Sequence, residues 1–262
     1  PKKVMWYTAQ QAHHFEHAAD YGFDFSVSGH DWKALKDRRD AYIKRLNGIY
    51  ETNLDKRGVT YIDGWATGTD AHTVDVEGTQ YRADRLVIAT GGRPMVPDIP
   101  GAEHGITSDD FFELEEQPRR VLVAGSGYIA VELAGVFNGL GSDVNLVVRK
   151  DSILRSFDTM LSAELMQAMQ GENIRLDTRV VPKSVEKTDA GYVLHAEDGR
   201  SFGPVDCVLW AIGREPNTEG LGLESAGVTV GDGGYVPTDN FQQTNVDNVF
   251  AVGDVTGRAQ LT

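Results

Sequence analysis

The sequence predicts an α/β protein in which parallel strands alternate with antiparallel meanders. Three observations predict it. An apolar run, Val121-Leu122-Val123-Ala124, breaks into Gly125-Ser126-Gly127-Tyr128-Ile129-Ala130, continues at helical spacing to about Leu140, and meets a second apolar run over 144–148. Short alternating stretches bounded by turn residues occur twice, over 59–81 and 181–202. Each meander is followed by a strand that ends on glycine, as Ala89-Thr90-Gly91-Gly92 and as Ala211-Ile212-Gly213-Arg214. This coarse repeat implies two related nucleotide-binding domains, each a parallel sheet with a meander, the first incomplete on its N-terminal side.

Taken in order, residues 2–17 carry helix formers and no breaker, so a helix is expected. Residues 21–29 read as loop. Over 32–54, Trp32, Leu35, Arg39, Tyr42, Ile43, Leu46 and Ile49 recur at helical spacing. Residues 59–65, 73–76 and 79–81 read as the strands of the first meander, and 84–90 as a buried strand. Residues 94–118, rich in proline and acidic groups, read as a connection between domains. After the glycine unit come a helix over 162–169, a strand over 174–176 and the second meander. A buried strand over 207–212 follows, and a last strand over 249–252 runs into Gly253-Asp254. The expected domains are 1–93, 94–216 and 217–262.

Composition narrows the function. With 262 residues, 40% hydrophobic and 24% charged, the chain can bury a sizeable core. No apolar run approaches the ~18 residues of a membrane span. A net charge of -14 argues against nucleic acid or anionic membranes as partners. The single cysteine, Cys207, sits in an apolar run and reads as a core residue. It excludes an internal disulfide and a multi-cysteine metal site, and fits a reducing cytoplasm. No metal centre is expected. The chain opens Pro1-Lys2-Lys3 without methionine and stops at Leu261-Thr262, so a piece of a longer protein is expected.

Strand, glycine turn, helix and strand in that order form a dinucleotide-binding unit. Gly125 permits the tight turn, Gly127 lets the backbone approach a pyrophosphate, and Ala130 keeps the helix against the strand. The helix N-terminus offers unpaired N–H groups to the anion. An NAD-specific unit carries an acidic residue at the end of its second strand. Here that position reads Arg149-Lys150, with Arg155 six residues beyond Arg149. Forked cationic donors of this kind suit a 2′-phosphate, so NADPH is the expected cofactor. Asp254, after the last strand, is suited either to sugar hydroxyls or to capping the next helix.

Lys2-Lys3-Val4-Met5-Trp6, Ile88-Ala89-Thr90-Gly91-Gly92-Arg93-Pro94, Gly125 to Gly135, Ala211 to Arg214 and Val249 to Thr262 together resemble the flavoprotein disulfide reductases. The resemblance runs along essentially the whole chain and is nearest to the members that act on glutathione disulfide. It implies an FAD domain interrupted by an NADPH domain, with FAD as second cofactor and a homodimeric intact enzyme. It implies that Arg149 and Arg155 grip the 2′-phosphate, and that Ser126, Ile129 and Gly213 follow the NADPH backbone. Tyr128 matches an aromatic gate over the flavin, Lys2 a lysine beside flavin N5, and Glu132 the carboxylate paired with it. Ala66, Thr90, Gly91, Gly253, Asp254 and Thr262 match positions lining FAD. Tyr50 matches a tyrosine that contacts glutathione, against the plainer reading of a helix core residue. The family's reactive cysteine pair would precede Pro1, and its interface domain would follow Thr262. The 262 residues alone are therefore expected to bind NADPH, to retain FAD poorly and not to reduce a disulfide. A trypanothione-reducing relative and a stand-alone NADPH-binding module are the rival readings; a dihydrolipoamide dehydrogenase is disfavoured by Arg149.

Overall fold

A computed structural model describes residues 1–24 and 26–258. The chain opens with α1 (Lys2–Glu16) and α2 (Trp32–Lys56). β1 (Ala66–Asp70), β2 (Thr73–Val76), β3 (Thr79–Arg82), β4 (Leu86–Ile88) and β5 (Gly92–Pro94) follow. The central stretch holds β6 (Ile106–Thr107), the one-turn α3 (Ser108–Phe111), β7 (Arg120–Ala124), α4 (Tyr128–Gly139), β8 (Asp143–Val147), α5 (Thr159–Gly171) and β9 (Arg175–Asp177). Then come β10 (Pro182–Thr188), β11 (Gly191–Ala196), β12 (Ser201–Val205), β13 (Cys207–Trp210), β14 (Arg214–Pro216) and β15 (Val249–Ala251). Two units result: Pro1–Tyr50 with Pro94–Gly213, and Glu51–Arg93 with Arg214–Thr262.

The first unit is built on a five-stranded sheet of order β6-β13-β7-β8-β9. All its pairings are parallel. Parallel strands are covered on both faces, which is why β7 and β13 read as unbroken apolar runs and why Val121, Leu122 and Val123 are fully buried. Alternate residues serve opposite faces. Val121, Val123, Val144 and Leu146 pack under α1 and α4 with Trp32, Phe111 and Phe137. Leu122, Ala124, Val147 and Trp210 pack under the meander β10-β11-β12 through Val185, Leu194 and Phe202. Trp32 stacks on Phe137 with ring centroids 6.0 Å apart and donates its indole N–H to Leu114 O at 2.8 Å. α1 lies on α4 so closely that a Cβ on Gly139 would sit 3.0 Å from that of Ala9.

The second unit holds the antiparallel meander β1-β2-β3, the parallel pair β4/β15, and β14 paired with β5. Its core gathers Leu223, Val228, Val236, Val249, Ala251 and Val255, with Leu86 and Ile88 against it.

Three expectations change. The first strand starts at Ala66, and 59–65 is not strand. Its partner β2 ends at Val76, opposite Ala66, because Glu77 and Gly78 turn the chain at φ 52° and 89°. No strand among the described residues pairs with the residues before Ala66, and Tyr61 and Trp65 are exposed. The strand expected to be buried over 84–90 shortens to β4, one face of which is solvated, leaving Val87 62% exposed. The stretch 94–118 is not mere connection. It supplies β6, an edge of the parallel sheet, and α3, closed by a capping box between Thr107 and Asp110. No helix among the described residues is long and apolar enough to cross a membrane.

Candidate functional site

The glycine turn sits at the carboxyl end of β7, between the ends of β8 and β13. Gly125 N–H donates to Val147 O at 3.1 Å, and Ala211 N–H donates to Ala124 O at 2.8 Å. At Gly125 φ is +152°, and a Cβ would lie 2.1 Å from Ala211 O and 3.2 Å from the Cβ of buried Ala130. Glycine alone fits there. Gly127, the residue before α4, has open space where a Cβ would point and no capping side chain. The opening amides of α4, at Tyr128, Ile129 and Ala130, are thus left for an anion approaching over Gly127.

The basic cluster is tied to the same turn. Leu154 N–H donates to Ser126 O at 2.7 Å, while fully buried Ile153 accepts from Ser162 Oγ at 2.6 Å. The loop that carries Arg155 is thereby anchored on both sides. Arg149 and Lys150 follow β8 after the single residue Val148. Arg149, Lys150 and Arg155 are exposed, and their side chains make no hydrogen bond or ion pair with the described residues. Nearby arginines are neutralised: Arg175 lies 3.2 Å from Asp143 and Arg179 2.5 Å from Asp151. Three unpaired cations beside an open glycine turn fit a phosphate-bearing dinucleotide. Gly213 lies beyond the end of β13, the neighbour of β7, and its carbonyl accepts from Met95 N–H at 3.0 Å.

Lys2, Tyr128 and Glu132 are brought together. Lys2 Nζ lies 2.7 Å from Glu132 Oε2 and 5.4 Å from the centroid of the Tyr128 ring. Glu132 Oε2 is shielded from water and has no hydrogen-bond partner of good geometry among the described residues, so its charge is answered by the lysine alone. Lysine and glutamate are both partly exposed, leaving the ammonium reachable.

In the second unit, parallel pairing brings the ends of β4 and β15 side by side, with Val252 N–H donating to Ile88 O at 3.0 Å. Thr90-Gly91 and Gly253-Asp254 therefore share one edge. Thr90 Oγ1 donates to Asn217 O at 2.7 Å, and Asn217 Nδ2 returns a bond to Thr90 O at 3.0 Å. The Asp254 carboxylate lies 3.8 Å from Arg214 Nε. Ala66 lies on the separate meander, paired with Val76. Tyr50, on α2, is 62% exposed and so is not a core residue. Thr262 lies outside the described residues. Cys207 is buried, and desolvation, reinforced by the Asp206 charge, pushes its thiol up to about 12, so it is no nucleophile.

The sequence reading missed the partners of the second glycine strand. Arg214 bonds Gly92 O, and Arg93 reaches Glu215 at 2.7 Å and Glu219 at 3.2 Å. The signal was present: Arg93 and Glu215, opposite in charge, stand at matching places in Gly91-Gly92-Arg93-Pro94 and Gly213-Arg214-Glu215-Pro216, and pair with one another.

Residues 1–262 match the family model described as pyridine nucleotide-disulphide oxidoreductase. A glutathione reductase of Yarrowia lipolytica is 43% identical over 279 residues, covering 100% of this chain and 59% of that protein. A glutathione reductase of Schizosaccharomyces pombe is 46% identical over 272 residues, covering 100% and 58%. Among solved structures, the HOCl-induced flavoprotein disulfide reductase RclA from Escherichia coli aligns with a TM-score of 0.88 at 26% identity, covering 100% of this chain and 57% of that one. LpdA from Mycobacterium tuberculosis aligns with a TM-score of 0.90 at 26% identity, covering 100% and 59%. The chain spans about three fifths of the length of these curated relatives.

Proposed function

The chain belongs to the pyridine nucleotide-disulphide oxidoreductase family, and from that premise we propose that it forms the NADPH-binding part, and a portion of the FAD-binding part, of a glutathione-disulfide reductase. The two cofactors, when bound, supply hydride transfer from nicotinamide to flavin and onward reduction of a disulfide. The chain's own residues bind, orient and set charge. Gly125, Gly127 and the first amides of α4, with Ser126 and Ile129, receive the pyrophosphate. Arg149 and Arg155 hold the 2′-phosphate, with Gly213 flanking. Lys2 places a cation where the flavin becomes electron-rich, Glu132 pairs with that lysine and holds it in position, and Tyr128 covers the flavin as a gate. Ala66, Thr90, Gly91, Gly253, Asp254 and Thr262 line FAD, and Tyr50 contacts glutathione. A homodimeric, cytoplasmic working form belongs to the same proposal.

One observation carries the reading: Lys2 of α1 lies 2.7 Å from the Glu132 carboxylate and 5.4 Å from the centroid of the Tyr128 ring, both on α4, the helix that follows the dinucleotide turn. A plain dinucleotide-binding module has no need of that cluster.

Two measurements test it. Arg149→Glu should weaken NADPH binding by roughly ten- to hundredfold, the equivalent of ~1.5–3 kcal/mol for a charge-assisted hydrogen bond, and leave NADH binding unchanged. Equal losses for the two nucleotides, measured by titration calorimetry, overturn the 2′-phosphate assignment. For the protein expressed from its complete gene, NADPH oxidation should be fast with glutathione disulfide and slow with trypanothione disulfide. The reverse ranking overturns the substrate.

A further inference from the structure

We propose that the carboxyl end of α1 binds a divalent transition-metal ion through His13, Glu16 and His17. The three side chains are exposed, and one ligand atom from each lies within 4.8 Å of the other two. Their spacing is that of a single helix turn, which stacks positions i, i+3 and i+4 on one face. The imidazoles of His13 and His17 meet edge to face with ring centroids 4.8 Å apart, and Glu16 Oε2 lies 3.7 Å from His13 Nδ1. A tetrahedral ion with metal–nitrogen bonds of ~2.0–2.1 Å needs donors ~3.4 Å apart, so rotation of exposed side chains closes the site.

Three further features favour a cation there. The helix dipole presents its negative end at this turn, and no lysine or arginine occupies it. Asp20 Oδ2 lies 3.7 Å from His17 Nδ1, an outer carboxylate of the kind that orients metal-bound histidines. His13 and Glu16 also line a groove on the first unit into which Glu132, Asp143 and Glu172 face. Of these only Asp143 is paired with an arginine, Arg175, and Glu132 is paired with Lys2. Two imidazoles and one carboxylate select zinc, nickel or copper over calcium and magnesium, which prefer all-oxygen sets. With three protein ligands, the remaining position goes to water, and the ion exchanges freely with solvent.

The experiment is calorimetric titration of the untagged 262-residue chain with Ni²⁺ and Zn²⁺, beside Mg²⁺ as control. One ion per chain should bind with Ni²⁺ or Zn²⁺ and none with Mg²⁺. His13→Gln and His17→Gln should each weaken binding by at least about tenfold, since even outer-shell changes cost that much. His14→Gln, one residue off the cluster, should leave it unchanged. Circular dichroism should show α1 intact in all three variants, glutamine being as good a helix former as histidine. Binding that survives both His13→Gln and His17→Gln, or that falls equally with His14→Gln, overturns the site.

Discussion

At the scale of single residues, Gly125 and Cys207 illustrate how position decides what an atom can do. Gly125→Ala would push a methyl to within 2.1 Å of Ala211 O. The expected cost is about 1–3 kcal/mol in a denaturation midpoint, the range of overpacking, with loss of NADPH binding on top. Wild-type affinity in a folded Gly125→Ala protein would refute the turn's role. Cys207 should resist alkylation at pH 8 in the native chain and react at once in denaturant. Its thiol sits at about 12 against an ordinary 9.0, so the native state holds its proton longer than the unfolded state. The corresponding stability is complete below pH 9 and drains away as pH rises from there toward 12. Asp206 works in the opposite sense. The Arg120 side chain bonds it at 2.5 Å, and the Arg120 backbone N–H donates to it at 2.8 Å. Both bonds lower its carboxyl pKa, the side-chain bond from Arg120 most. Asp206→Asn should cost ~1 kcal/mol at neutral pH, because the pair is partly exposed and screened. That difference should vanish as acid protonates Asp206, a convergence that melting curves at descending pH can check.

At the scale of elements, α1 and α4 act as one part. Lys2 meets Glu132, and Ala9 meets Gly139, seven residues further along each helix. The two helices therefore run parallel in a register of two turns, clamped by charge at one end and by close packing at the other. Gly139→Val should spread the far end and shift Lys2 without touching it. The check is a fall in the rate of flavin reduction by NADPH in the complete protein, with NADPH affinity unchanged. Much of this level was legible beforehand. The β7–α4–β8 unit reads directly, because a parallel strand covered on both faces is an unbroken apolar run and a tight turn needs its glycines. The Lys2–Glu132 contact came only through resemblance, since 130 residues separate its members and no local rule links them. Residues 59–65 were misread because Val59, Tyr61 and Ile62 have strand propensity but no partner to pair with. The β5/β14 pair escaped because three-residue strands ending in proline carry no periodic signal. The His13–His17 cluster was passed over because a helix of ordinary composition hides it until the turn is built.

At the scale of the whole molecule, each unit is assembled from two separate stretches of chain. The core of the first depends on Met5, Ala9 and Trp32 as much as on the sheet they cover. A polypeptide of residues 94–213 alone should melt well below the intact chain and bind hydrophobic dyes, because Phe111 and Phe137 lose the ring packed against them. A cooperative, dye-free transition at the parent temperature would refute that dependence. The same arrangement has a consequence during synthesis. Residues 1–50 leave the ribosome before residues 94–213, and the sheet strand that completes their core, β13, ends at Trp210. At ~5–20 residues per second, α1 and α2 wait on the order of ten to thirty seconds with their apolar stripe uncovered. In that interval the growing chain is a client for any holdase that reads an exposed methionine on α1 and an exposed tryptophan on α2.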